Sequence, residues 1–259
     1  KLAGSGTVFL IADRDFGGGG AAGGAGNPAN PNGYRTAYLW ERVWDRDAWL
    51  GLLGSFVHVE DVYADGVKTG ATRTLFPRFH QWDAVTRLLE ATRVAGPGVD
   101  RLVQHSAGSG KSNTIAWAAH QLSRLHTPSD PALVSDAVAA AGLGVDQPIF
   151  HKIIVITDRV VLDRQLQSTV AGFEHTPGTI VKIDQDSAQL RTALEGNTAR
   201  VIVTTLQKFP VVAEAATKVA GQRFAILVDE AHSSTSGEAM KDMKHVLSFT
   251  GTGAYSDVD

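Results

Sequence analysis

The stretch Gln104-His105-Ser106-Ala107-Gly108-Ser109-Gly110-Lys111-Ser112 decides the fold of this 259-residue chain. A short apolar run, Arg101-Leu102-Val103, precedes it, and residues 113–120 after it predict a helix. A strand, a glycine-rich turn, Gly-Lys-Ser and a helix, in this order, form a phosphate-binding loop in which backbone N–H groups close around nucleotide phosphates. The helix N-terminus adds its partial positive charge. The predicted nucleotide-binding residues are Gly108, Ser109, Gly110, Lys111, which would reach the outer phosphates, and Ser112, whose hydroxyl would bind Mg²⁺.

One position departs from the general pattern G-x-x-x-x-G-K-[ST], because His105 stands where the first glycine is expected. The core from Gly108 to Ser112 is intact. The alternative is a chance Gly/Ser-rich turn before a helix. The apolar strand upstream and the carboxylates downstream argue against it.

Two adjacent carboxylates form the second signal, at the end of the apolar run Ile226-Leu227-Val228-Asp229-Glu230-Ala231-His232. Ligands of parallel sheets bind at the carboxyl ends of strands. Asp229 is predicted to hold Mg²⁺ opposite Ser112, and Glu230 to polarise the attacking water. His232 could couple the site to a neighbouring element. An acidic turn at a strand end is the alternative, but with Lys111 upstream the pair predicts nucleotide hydrolysis.

Apolar, β-branched runs alternate with helical segments through the second half of the chain. This rhythm predicts an α/β fold with a mostly parallel sheet between layers of helices. The predicted strands are 101–103, 152–157, 179–183, 200–205, 224–228 and 246–250.

Composition divides the rest of the chain into segments. Residues 1–33 are rich in Gly, Pro and Asn and predict a linker, with one possible short strand at 8–12. Residues 34–75 predict a helical connecting segment whose aromatic residues belong to a core, with a strand at 57–59 and a loop at 68–74. Residues 76–259 form the predicted nucleotide-binding domain, with an insertion at about 127–148 that contains one short helix.

A helix is predicted from about Phe76 to Arg93, with Pro77 near its start. An exposed aromatic-His-Gln cluster, Phe79-His80-Gln81, lies at its beginning. Gln81 could therefore recognise the base of the nucleotide. The alternative is an ordinary capped helix.

The bulk composition excludes few functions. The net charge is −3, so no global basic field indicates nucleic acid, although a local groove would be enough. The absence of cysteine suits a cytoplasmic location. No apolar run approaches the length of a membrane span, so we expect no membrane partner.

With these motifs in place, the chain resembles the first RecA-like domain of a superfamily 2 helicase or translocase. Within that group, Val155-Ile156-Thr157-Asp158-Arg159-Val160-Val161-Leu162-Asp163-Arg164-Gln165-Leu166 and Ile202-Val203-Thr204-Thr205-Leu206-Gln207-Lys208-Phe209 resemble segments of the motor subunit of type I restriction enzymes. Residues 32–41 and 79–85 are similar to the region that joins its nuclease domain to its motor. Ser248-Phe249-Thr250-Gly251-Thr252 resembles the segment linking ATP hydrolysis to movement, although Gly253 stands where the family usually has Pro.

The resemblance implies an ATP- and Mg²⁺-dependent motor on double-stranded DNA that works with methyltransferase and specificity subunits. It implies coupling roles for His232, Thr250, Gly251 and Thr252. It also implies a nuclease domain before Lys1 and a second RecA-like domain after Asp259. Another superfamily 2 helicase or remodeller, or a nucleotide-binding module without hydrolysis, remains as an alternative.

Strand-end residues are the candidates for contact with DNA. Hydroxyls, backbone N–H groups and arginine suit contacts to phosphates, which carry no base information. For each threonine alone, a strand-end cap is the alternative. The candidates are Thr157, Arg159, Thr204, Thr205 and Gln207.

Overall fold

The computed structural model describes residues 6–13, 33–34, 37, 39–64, 67–105, 108–157, 169–170, 172, 178–183, 187–205 and 222–229. In chain order the strands are β1 (Gly6–Asp13), β2 (His58–Ala64), β3 (Val67–Leu75), β4 (Arg101–His105), β5 (Lys152–Thr157), β6 (Ile180–Lys182), β7 (Val201–Thr205) and β8 (Phe224–Asp229). The α-helices are α1 (Arg46–Ser55), α2 (Phe79–Ala95), α3 (Lys111–Leu122), α4 (Asp136–Ala140) and α5 (Ser187–Glu195). A π-helical turn spans Leu39–Val43 and a 3-10 turn spans Pro131–Leu133.

Six strands form the main sheet in the order β4-β1-β8-β5-β7-β6, and every neighbouring pair is parallel. Every residue of β5, β7 and β8 is buried. Because successive side chains point to opposite faces of a strand, both faces of this part of the sheet are covered. The predicted parallel α/β architecture is confirmed, together with the strands at 152–157, 179–183, 200–205 and 224–228.

The N-terminal strand corrects the predicted linker. Residues 6–13 pair with β4 on one side and with β8 on the other, so they belong to the sheet. The possible strand at 8–12 is thereby confirmed. Because glycine-rich sequence follows it, the sequence predicted a linker here and not a part of the domain. Residues 14–32 and the predicted strand at 246–250 lie outside the described part of the chain.

The segment before α2 is partly helical and partly a hairpin. β2 and β3 pair antiparallel, so the predicted loop at 68–74 is wrong. Apart from the half-buried Leu75, every residue of β3 is exposed. Its sequence therefore lacks the alternation of apolar residues by which a half-buried strand is recognised.

The predicted aromatic core of this segment is also only partly correct. Val43, Leu52 and Phe56 are buried, whereas Trp40 and Trp44 are 49% and 62% exposed. Phe56 is held by the main helical layer, since Trp117 Nε1 of α3 donates to its carbonyl oxygen at 2.8 Å.

Helices α2 and α3 pack on each other, and α3 packs on β5 and β8. Nearly every residue of α3 from Thr114 to Leu122 is buried. The insertion at 127–148 folds back on itself, because the amide of Thr127 donates to the Gln147 carbonyl and His126 bridges to Pro148. It contains the predicted short helix as α4.

None of the helices in the described part of the chain combines the length and apolarity that crossing a membrane requires.

Candidate nucleotide-binding site

The phosphate loop connects β4 to α3 through a backbone that only glycine adopts readily. Gly108 and Gly110 have φ values of 71° and 86°, in the left-handed region. Gly110 caps α3, so the helix begins at Lys111 with its first N–H groups facing the loop. The helix thus begins two residues before the predicted start at residue 113, so Lys111 and Ser112 lie in its first turn.

Side chains in the first turn of α2 form hydrogen bonds with the carbonyl oxygens of this loop. Gln81 Nε2 donates to the oxygen of Gly110 at 2.9 Å and to that of Ser109 at 3.4 Å. His80 Nε2 lies 3.1 Å from the same Ser109 oxygen, which accepts its proton. In a trans peptide the N–H points opposite to the carbonyl of the preceding residue. The N–H groups of Gly110 and Lys111 therefore point away from α2.

Gln81 was predicted to belong to an exposed cluster, but it is buried in the structure. Its side chain is 3% exposed. Its other amide atom, Oε1, accepts the backbone N–H of Arg78 at 2.9 Å. Both ends of the amide thus bond to backbone, an arrangement that fits holding the loop better than reading a base.

His80 was predicted as part of the exposed cluster near the base, and its contact with the phosphate loop was not predicted. Its neighbour Gln81 drew attention to the region, but the contact joins residues 29 positions apart. His105, the departure from the glycine pattern, ends β4 at 7% exposure, and its ring meets that of His80 edge to face at 5.2 Å. A glycine at position 105 would lack this contact.

The carboxylate edge lies on the same side of the sheet. Asp229 is the last residue of β8 and is 8% exposed. β1 separates β4 from β8, and neighbouring strands lie about 4.8 Å apart, so the loop strand and the Asp229 strand are roughly 10 Å apart. The phosphate loop and Asp229 therefore lie at the same edge of the sheet, with one strand between them. Glu230, His232, Thr250, Gly251 and Thr252 lie outside the described residues, and their roles stay predictions.

The loop residues fit a phosphate ligand. Ser109 Oγ is buried and has no hydrogen-bond partner within the described residues. A Cβ atom on Gly110 would come within 2.6 Å of Gln81 Nε2, so the glycine also permits the close approach of α2.

Ser112 and Asp229 offer a hydroxyl and a carboxylate, the oxygen ligands that Mg²⁺ prefers. In the described ranges, no group of three or more His, Asp or Glu side chains could hold a metal alone. Mg²⁺ bound here would therefore depend on the phosphates of the nucleotide as well, as is usual for this ion.

The strand-end threonines lie where they were predicted but are covered. Thr157 ends β5, and Thr204 and Thr205 end β7. Their exposed fractions are 1%, 0% and 5%, so these side chains do not reach the surface as they lie. The prediction is correct for their position and wrong for the accessibility of their hydroxyls. Arg159 and Gln207 lie outside the described part of the chain.

The opposite, amino-terminal edge of the sheet carries a cluster of basic residues. Lys152 Nζ donates to the oxygens of Ala193 and Ala199 at 2.9 and 3.2 Å. Burial lowers the pKa of Lys152, and the charge of Arg200 lowers it further. Burial also lowers the pKa of His151, followed by the charges of Arg223, Arg200 and Lys152.

Comparison with solved structures finds the UvsW helicase from bacteriophage T4, at 16% sequence identity and a TM-score of 0.37. The match covers 78% of this chain and 64% of that one, so the chain spans less than two thirds of the helicase's length. At this TM-score the likeness supports no conclusion about this chain.

The family comparison is decisive. The family model described as SWI2/SNF2 ATPase matches residues 80–255, well over half of the chain, from His80 through the phosphate loop and Asp229. The expected RecA-like, helicase-type α/β fold is thereby confirmed, and the chain belongs to the SWI2/SNF2 ATPase family.

Proposed function

We propose that this chain is the ATP-binding and hydrolysing motor domain of a type I restriction enzyme subunit, which drives movement along double-stranded DNA. The observation that supports ATP hydrolysis best is the meeting of two elements at one sheet edge. The loop from Gly108 to Ser112 opens α3, and Asp229 ends the strand two places away in the same parallel sheet.

In this proposal each residue has a distinct task. The amides of Gly110 and Lys111 and the Lys111 ammonium bind the phosphates, while His80 and Gln81 hold the loop carbonyls away from them. Ser112 and Asp229 would hold Mg²⁺, which neutralises charge on the phosphates. Glu230 would take a proton from the attacking water.

The assignment to double-stranded DNA and restriction rests on the resemblance of the segments around Thr157 and Thr204 to type I motor subunits. Arg159 and Gln207 would contact DNA phosphates, and the buried threonines beside them would position those loops. Methyltransferase and specificity subunits would be the partners, in the cytoplasm, and the coupling residues would be His232, Thr250, Gly251 and Thr252.

The test uses the full-length protein with the other subunits of the complex. ATP turnover should rise with duplex DNA, and DNA cleavage should require ATP. Lys111→Ala should abolish both. Cleavage that persists in this variant would overturn the restriction role.

A remodeller or helicase of the same superfamily is the second candidate, because the family match is to SWI2/SNF2 ATPases as a whole. DNA-stimulated ATPase activity without cleavage in the complete complex favours a remodeller. Stimulation by RNA but not by duplex DNA favours an RNA helicase. A protein with no ATP turnover on any nucleic acid would be a binding module only.

A further inference from the structure

A separate pocket lies at the far end of α2 and α3 from the phosphate loop. Its volume is about 220 Å³, and its walls come from the end of α1, the start of β2 and the last turns of α2 and α3. His120 follows Lys111 by nine residues, and a helix rises about 1.5 Å per residue, so the pocket is about 14 Å from the loop. It is therefore distinct from the nucleotide site.

We call this concavity the basic pocket because of the side chains that line it. No lining residue in the described ranges is acidic. Four lining residues carry guanidinium or imidazole groups, namely His58, Arg93, His120 and Arg124. Cations near helix C-termini are favourable by themselves. Here, however, they line one concavity.

The two arginines have donors to offer a ligand. Arg93 and Arg124 are exposed, and in the described part of the chain neither guanidinium forms an ion pair or a hydrogen bond. The pocket wall beside them is fixed, since His120 Nε2 donates to the Val170 carbonyl, 3.1 Å away. Two guanidinium forks beside a fixed imidazole suit a tetrahedral oxyanion, which arginine binds through paired hydrogen bonds.

A neighbouring groove supplies an internal contrast. It has a volume of about 520 Å³ and shares Arg93 with the basic pocket, but four carboxylates line it: Glu41, Asp45, Asp47 and Glu90. An anion would be repelled there and attracted to the basic pocket, so charge and not size selects between the two.

We propose that the basic pocket binds a phosphate group. Its volume is below the roughly 300 Å³ at which sites for drug-sized ligands begin, so a single phosphate fits better than a whole nucleotide. The phosphate belongs either to a nucleic-acid backbone or to a free phosphate or nucleotide whose remainder stays in solvent. This inference goes beyond the proposed function and does not depend on ATP hydrolysis.

The experiment uses the full-length protein carrying Lys111→Ala, which weakens phosphate binding at the loop. Inorganic phosphate is titrated at constant ionic strength by calorimetry. Arg93→Gln and Arg124→Gln should each weaken binding about tenfold or more. Arg87→Gln is the matched control, because it removes the same charge from the same helix at an exposed position paired with Asp83. It should bind as the parent does.

Arg93→Lys keeps the charge without the fork and should recover part of the affinity. Equal phosphate affinity in the parent, both pocket variants and the Arg87 variant overturns the proposal. The slope of the logarithm of the duplex-DNA binding constant against the logarithm of salt concentration reports the number of phosphate contacts. If this slope falls in Arg93→Gln by the amount expected for about one contact, a nucleic-acid backbone is the source of the phosphate. An unchanged salt dependence, with lost phosphate binding, identifies a free phosphate or nucleotide.

Discussion

A buried lysine at one edge of the main sheet and a buried serine at the other differ in how their polar atoms are satisfied. At the amino-terminal edge, Lys152 is 4% exposed, and its ammonium donates to the backbone carbonyls of Ala193 in α5 and of Ala199 beyond it. At the carboxyl edge, Ser109 Oγ is equally buried but has no partner among the described residues. Lys111 and Ser112 there stand half-buried at a helix start.

The comparison distinguishes a buried polar group that stabilises the fold, as in Lys152, from one whose partner would be a ligand, as in Ser109. A buried polar group without a partner costs about 1–3 kcal/mol, so it persists where a ligand supplies the partner. Among the described residues, Ser109 Oγ and Thr204 Oγ1 are such groups at the carboxyl edge. At the amino-terminal edge the Lys152 ammonium is satisfied by carbonyls, although Gln222 Oε1, just before β8, is buried without a partner. Variants at the carboxyl edge should therefore change ATP turnover, and variants at the amino-terminal edge should change stability.

Lys111→Ala should give the largest effect. Removing the cation proposed to bind the phosphates should lower ATP turnover by about 100-fold or more, as the loss of one preorganised charge contact does in other enzymes. The free energy of unfolding should hardly change, because Lys111 is only half-buried. Phosphate release by the full-length protein, together with urea denaturation, measures the two quantities. A large loss of stability with retained turnover would remove the contrast between the edges.

Lys152→Met tests the other edge. The methionine keeps the apolar stem but leaves the carbonyls of Ala193 and Ala199 buried without a donor. The relief of burying an ammonium offsets part of this cost, so we expect a net loss of about 2 kcal/mol in the free energy of unfolding. ATP affinity should stay at the parent value.

Lys182→Met is the matched control for that experiment, since this lysine lies half-buried on β6, two strands away in the same sheet. Its stability should match the parent within about 0.5 kcal/mol. If Lys152→Met is as stable as the parent, the burial of the charge outweighs its hydrogen bonds.

The glycines of the loop sharpen the comparison within the carboxyl edge. Both Gly108→Ala and Gly110→Ala place a side chain at positive φ, which costs about 1–2 kcal/mol. Only Gly110→Ala also meets Gln81 Nε2, at 2.6 Å, while the space beside Gly108 is open. We therefore expect the Gly110 variant to lose about 1 kcal/mol more in ATP binding, measured by titration with a non-hydrolysable analogue. Equal losses would mean that the contact from α2 does not hold the loop.

Local pattern was enough to predict the buried strands β5, β7 and β8 and to propose the two nucleotide motifs at the ends of β4 and β8. Parallel strands covered on both faces appear as continuous apolar runs, as in Ile153 to Ile156. The strand order could not be predicted in this way. β1 pairs with β4 across about 90 residues, and its apolar run at 8–12 indicates a strand but not its partners in the sheet.

The same limit applies to the site. The glycine spacing located Lys111 and Ser112, because one loop contains the whole motif. The hold of His80 and Gln81 on the loop joins two helices, and no spacing in the sequence encodes it. The exposed tryptophans Trp40 and Trp44 show the converse error, since apolar composition predicted a core that the neighbouring elements do not cover.

The smallest expected effect is a pH dependence at the amino-terminal edge. His151 Nδ1 accepts the backbone N–H of Arg223 at 2.8 Å, which only a neutral imidazole can do. Burial and the charges of Arg223, Arg200 and Lys152 lower its pKa below the usual 6.5 in the folded protein. Between the two pKa values the unfolded chain binds more protons than the folded one. The contribution of His151 to stability is thus fully present above about pH 6.5 and falls as the pH drops below it. His151→Asn keeps an acceptor for the Arg223 amide but cannot be protonated, so its urea midpoint should fall less than that of the parent between pH 7 and pH 5. Parallel pH profiles for the parent and the variant would show that protonation at this edge does not couple to folding.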